Sequence, residues 1–194
     1  MVRFGGFTPQ YLNDLQTLLN DPTRLVFVDE SSFNTAMSRR FARSPKGERV
    51  TTFLPRNQGK NQSLICALCH TGPEAAFVFE GTVDGDAFVW YVEHVLCPCL
   101  KKGQVVFLDH LSAHDRTEAV DLIEEGGCEV QYLPRYSPDL NPIEMLFSKV
   151  KALVRGGNWR ALEDLWKVIG TAPSTVSLKD VWGWYTAAYP SLLL

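Results

Sequence analysis

Two short segments constrain this chain more than anything else in it. Arg24 to Asp29 (RLVFVD) and Gln104 to Asp109 (QVVFLD) share one pattern, an apolar run of β-formers closed by an aspartate. Runs this short, bounded by turn signals, read as buried strands rather than helices. A chain of 194 residues that is 45% hydrophobic holds the material for one such core. An aspartate closing a central strand lies at the C-terminal edge of the sheet, where open α/β sheets bind ligands. Strand-end acids often only cap a turn, but two alike on adjacent strands hold both carboxylates within reach of a shared divalent cation.

The rest of the chain supplies partners for these strands. Thr8 to Leu19 has helical spacing, broken by Asp21-Pro22. The polar, basic stretch Phe33 to Lys60, interrupted by Pro45, Gly47, Pro55 and Gly59, predicts two edge strands joined by a loop. Ser63 to His70 and Ala75 to Glu80 read as strands, with Thr71-Gly72-Pro73 between them. Helices are expected over Asp84 to Leu96, Thr117 to Glu125 (stopped by Gly126-Gly127), Ile143 to Val154 and Ala161 to Ile169, with a strand over Cys128 to Leu133. The expectation is a mixed α/β sheet flanked by helices. It divides into a short helical segment over 1–22, the sheet domain over 23–172, and a tail over 173–194.

The net charge of −3 argues against binding by gross positive charge. An acidic outer face can still hide a local basic groove. Arg39, Arg40, Arg43, Lys46, Arg49, Arg56 and Lys60 put seven positive charges into twenty-two residues, opposed only by Glu48. No apolar stretch approaches the roughly 20 residues of a membrane span, and MVRFGGFTPQ lacks a signal-peptide core, so a cytoplasmic location is expected. Five cysteines fit reduced thiols. Cys66 and Cys69, three apart in a strand, point to opposite faces, and Cys97-Pro98-Cys99 has only one intervening residue, which argues against zinc at either pair.

A third acid follows the Pro-rich loop. Asn141-Pro142 reads as a helix start with Asn141 as the cap, which places Glu144 in the first turn beside the apolar face of Ile143, Leu146, Phe147 and Val150. Two aspartates and a glutamate at a sheet edge are a minimal holder for a pair of magnesium ions. Such a pair clamps the attacking and leaving oxygens of a phosphodiester displacement.

FVDESSFN, VVFLDHLSAH and LPRYSPDLNPIEMLFSKVK closely resemble the three blocks of DDE transposases of the mariner-like superfamily, in particular the bacterial insertion-sequence branch. Glu144 follows Asp109 with thirty-four residues between them, the spacing of that branch. The resemblance implies an RNase H-like catalytic domain with Asp29, Asp109 and Glu144 as catalytic, metal-binding residues and Mg²⁺ as cofactor, Mn²⁺ substituting. It further implies DNA as partner, both transposon ends and target, and a homodimer on DNA. It turns the basic stretch (Arg39, Arg40, Arg43, Lys46, Arg49), and more weakly Lys149 and Lys151, into candidate phosphate contacts. His114 matches a family histidine that would orient a phosphate or steady its loop. His110 stands where the family usually has asparagine, a change that removes no ligand.

Family members carry a helix-turn-helix region before the catalytic domain, and only about twenty residues precede the first strand here. The expectation is a catalytic fragment, or a split transposase whose helix-turn-helix polypeptide comes from an upstream reading frame. The competing readings are a non-catalytic remnant serving as a DNA-binding or assembly module, and an RNase H-like nuclease outside transposition.

Overall fold

Side-chain alternation along the central strands generates the architecture. In β1 (Leu25–Phe33), Leu25, Phe27 and Phe33 enter one apolar cluster while Val26 and Val28 enter another. In β2 (Gln62–Cys69), Leu64, Cys66 and Leu68 alternate in the same way with Ile65, Ala67 and Cys69. In β4 (Val105–Leu108), Val105 and Phe107 alternate with Val106 and Leu108. A strand buried on both faces must be apolar at every position, which is why these segments read as unbroken hydrophobic runs. The structure is a computed structural model describing residues 17–39, 41, 43–51, 59–110, 114, 116–157, 159 and 161–190.

The sheet has five strands in the order β3-β2-β1-β4-β5, with β3 spanning Gly72–Glu80 and β5 Glu129–Tyr132. β1 pairs antiparallel with β2, and β2 with β3, whereas β1–β4 and β4–β5 are parallel. Helices cover both faces, as a partly parallel sheet requires. On one side lie α3 (Ile143–Gly156), α4 (Leu162–Thr171) and α5 (Leu178–Ala188); on the other lie α1 (Gly85–Tyr91) and α2 (Thr117–Glu125). α3 buries Ile143, Leu146, Phe147, Val150 and Val154, each worth roughly 1.5–3 kcal/mol of transfer free energy. Gly127, at φ +77°, accepts the left-handed turn that ends α2. This is the mixed sheet of an RNase H-like fold. No helix among the described residues is long and apolar enough to cross a membrane.

Several expectations need correction. β1 does not end at Asp29; it runs four residues further, to Phe33, because β2 continues to pair with it there. The two edge strands expected between Phe33 and Lys60 are not formed by the described residues of that stretch, where a turn closes from Pro45 to Glu48; the edges of the sheet are β3 and β5. Asn141 does not cap α3: Pro142 holds the cap position and the Asn141 side chain turns elsewhere. The segment expected to be a tail contains α5, started by a Ser177–Asp180 capping box. Its Tyr185 is wholly buried and donates to the carbonyls of Leu25 (3.3 Å) and Leu68 (3.1 Å) in the central strands. Of the helix expected over Thr8 to Leu19, residues 17–19 are helical and the rest lies outside the described residues.

Candidate active site

The parallel pairing of β1 with β4 ends at Phe27↔Phe107. Two residues further along each chain, on the same face as those stacked rings, stand Asp29 and Asp109. Beyond the last pair the backbones part, and a cleft of about 380 Å³ opens, lined by Asp29, Asp109, Glu144, His110, Tyr136 and Asn141 among others. Glu144 comes from the first turn of α3, where the helix dipole favours an acid. Three acids from three distant segments thus line one cleft.

Their environments differ. Asp29 is buried, Asp109 partly buried and Glu144 exposed. Asp29 accepts hydrogen bonds from the Glu30 amide (2.8 Å) and from Asn141 Nδ2 (2.9 Å). Burial, reinforced by the charges of Asp109 and Glu30, nevertheless pushes its carboxyl up to about 8. Asn141 Oδ1 is buried and has no hydrogen-bond partner among the described residues.

His114 lies just ahead of α2 and beside Asp109. Its side chain is fully buried, with Nδ1 2.5 Å from Asp109 Oδ1 and Nε2 2.7 Å from Glu30 Oε2. Burial alone lowers the basicity of an imidazole; here the hydrogen bonds to Asp109 and Glu30 outweigh it and raise the ring to about 10. Glu30 escapes a reading of the sequence because alternation sets it on the sheet face opposite Asp29, where nothing local marks it. The only signal is its adjacency to Asp29. Tyr136 also escapes notice: it lines the cleft in left-handed backbone (φ +59°) with its ring 98% exposed, a conformation costing on the order of 1 kcal/mol.

The basic candidates are not drawn into the cleft. Arg43, Lys46 and Arg49 are exposed in irregular chain, and Arg39, also exposed, lies against Gly156 at the C-terminal end of α3. Arg40 and Arg56 fall outside the described residues. Lys149 is occupied elsewhere, with Nζ donating to Asp180 Oδ2 at 2.7 Å. Cys66, Cys69 and Cys128 are buried free thiols, and burial pushes Cys69 up to about 12.

Among the described residues no three His, Cys, Asp or Glu side chains are gathered in metal-ligating contact. The donor set nonetheless suits a hard cation: carboxylate oxygens on a shared cleft, one of them driven toward its neutral form by burial and then by its neighbours' charge.

Fold and cleft together define a class, and the chain belongs to it: residues 24–166 match the model of the DDE superfamily endonucleases. Within that class the chain is similar to the Mos1 mariner transposase. It aligns with a chain of a pre-cleavage Mos1 transpososome at a TM-score of 0.75 and 15% identity, covering 95% of this chain and 59% of that one. It aligns with the Mos1 mariner paired end complex with Mn at 0.73 and 17%, covering 95% and 58%. With the catalytic domain of Mos1 mariner transposase the TM-score is 0.67 at 16% identity, covering 92% and 84%. At such identities the likeness is one of fold. The chain spans about three fifths of the two longer Mos1 chains. No curated protein matches it.

Proposed function

We propose that this chain is the catalytic domain of a DDE transposase. It hydrolyses a DNA phosphodiester, and the freed 3′-hydroxyl then attacks a target phosphodiester, whose own 3′-oxygen leaves; a metal held by the carboxylates would activate the water. The observation that carries this reading is the meeting of Asp29, Asp109 and Glu144 on one cleft, with Asp29 pushed toward neutrality by burial and by the charges beside it. Membership of the DDE endonucleases and the fold shared with Mos1 transposase, one of whose complexes contains Mn, support it further.

Asp29, Asp109 and Glu144 would hold Mg²⁺ or Mn²⁺. The bound ions would supply an activated water and neutralise charge on the leaving oxygen. The protein's own contribution is positional. Asn141 and the Glu30 amide fix both oxygens of Asp29, and His114 fixes one oxygen of Asp109. The exposed cations Arg39, Arg43, Lys46 and Arg49, joined by Arg40, would meet phosphates without reading sequence. Homodimerisation on DNA, and a separate helix-turn-helix polypeptide that selects transposon ends, complete the reading.

The test is a nicking assay on supercoiled plasmid with Mg²⁺ or Mn²⁺. Wild-type chain should cleave only with the metal, and Asp109→Asn should lose several orders of magnitude in rate, since an amide is a poor substitute ligand. Undiminished cleavage by Asp109→Asn would remove the residue from the site.

A further inference from the structure

We propose that Glu30 and His114 are positioning residues, forming a buried side-chain rung that sets the spacing and orientation of the Asp29 and Asp109 carboxylates. The proposal rests on the reading of those aspartates as metal ligands and adds to it how their separation is fixed.

The need for a rung follows from the topology. Main-chain hydrogen bonds hold β1 and β4 together only up to Phe27↔Phe107, and both aspartates stand beyond that point. Asp109 stands one residue past the end of β4, so the β1–β4 pairing stops short of setting its direction relative to Asp29. An unbroken hydrogen-bonded path takes its place. The Glu30 amide donates to Asp29 Oδ1 (2.8 Å), Glu30 Oε2 faces His114 Nε2 (2.7 Å), and His114 Nδ1 faces Asp109 Oδ1 (2.5 Å). Ionised carboxylates only accept, so both ring nitrogens are satisfied as donors, and such charge-assisted bonds are the strong and directional ones.

The ring is itself immobilised. It packs on Phe88 of α1 with centroids 4.4 Å apart, and its backbone carbonyl accepts from the Tyr132 hydroxyl of β5 (3.3 Å). Its 0% exposure excludes a direct role toward phosphate. Three separate elements therefore contribute groups, through His114, to orienting one oxygen of Asp109. Partners of this kind commonly shift metal affinity 10–100-fold when removed.

The experiment measures Mn²⁺ binding by isothermal titration calorimetry on the whole chain, alongside kcat and KM for nicking and a thermal melt. Glu30→Ala should remain folded, bind Mn²⁺ roughly 10–100-fold more weakly and lose kcat with KM for DNA unchanged. Glu30→Gln, which keeps an acceptor for His114, should restore most of the affinity. His114→Gln, carried in parallel, should resemble Glu30→Ala, so the result does not hang on the folding of one variant. Wild-type affinity in both Glu30→Ala and His114→Gln, with weakened binding in Asp109→Ala, overturns the rung and leaves the metal site standing. Wild-type affinity in Asp109→Ala overturns the metal reading itself.

Discussion

The two regions on which the proposed activity rests are built in opposite ways. At the carboxylate corner the two aspartates have directional partners, Asn141 on Asp29 and His114 on Asp109, with Glu30 behind His114. The basic stretch is exposed, irregular chain carrying Arg39, Arg43, Lys46 and Arg49. The difference matches what each chemistry demands. Aligning oxygens about a metal tolerates errors of well under an ångström, so the two aspartates are held by the fold. Neutralising a phosphate backbone needs charge nearby, and exposed side chains on long stems supply it.

The contrast can be broken most forcefully at the acids. Glu144→Gln should lower metal-dependent nicking by several orders of magnitude while leaving DNA affinity within a few-fold. A variant that lost DNA binding instead would show that Glu144 belongs to the other region.

A smaller effect concerns the metal-free fold. Asp29 has a folded-state value near 8 against 3.8 unfolded, so the native state holds the extra proton and stability falls as pH rises from about 4 to about 8. His114, raised to about 10, contributes stability that is complete below 6.5 and is lost as pH climbs toward 10. Both slopes carry the same sign. In chelator, urea midpoints should therefore decline from pH 5 to pH 9, and Asp29→Asn should flatten the first part of that decline by on the order of a few kcal/mol. Adding Mg²⁺ at pH 8 should restore stability to the wild type and not to the variant. A midpoint that rises over this range contradicts the charge balance described for the corner.

Smaller still is the effect of the cations. Replacing Arg39, Arg43, Lys46 and Arg49 by alanine should weaken binding alike on terminal-repeat and scrambled duplexes, and reduce the salt slope by roughly one for each phosphate left without its cation. Binding by the wild-type chain alone should be non-specific, with Kd roughly 10⁻⁴–10⁻⁶ M at physiological salt. Lys149→Ala should leave the titration unchanged and slightly lower the melting temperature, because that ammonium serves Asp180. A selective loss on terminal repeats would place recognition within this chain.

Sequence makes the acids legible and hides what holds them. RLVFVD and QVVFLD announce themselves because strands buried on both faces must be apolar throughout, and an acid at the end of such a run stands out. Glu144 is legible from a helix start. The partners are not. Glu30 is an ordinary strand residue until β1 outlasts its pairing with β4, and Asn141 has the chemistry of a cap until the fold turns its amide toward Asp29. Both depend on approaches between segments about a hundred residues apart, for which local pattern carries no signal. α5 is hidden for a related reason: its Trp- and Gly-containing segment has weak helical propensity, and its stability comes from burying Val181, Tyr185 and Ala188 against the sheet.

The proposed activity turns on Asp29, Asp109 and Glu144 forming one metal-binding cleft. Anomalous diffraction at the manganese edge, from crystals of this chain grown with MnCl₂, is the sharpest test of it. Anomalous density is expected in the cleft beside β1 and β4, within roughly 2.0–2.3 Å of oxygens of Asp29 and Asp109, with Glu144 in reach of the same ion or a second one nearby. A cleft without anomalous density at saturating Mn²⁺, or density ligated by other side chains, would contradict it.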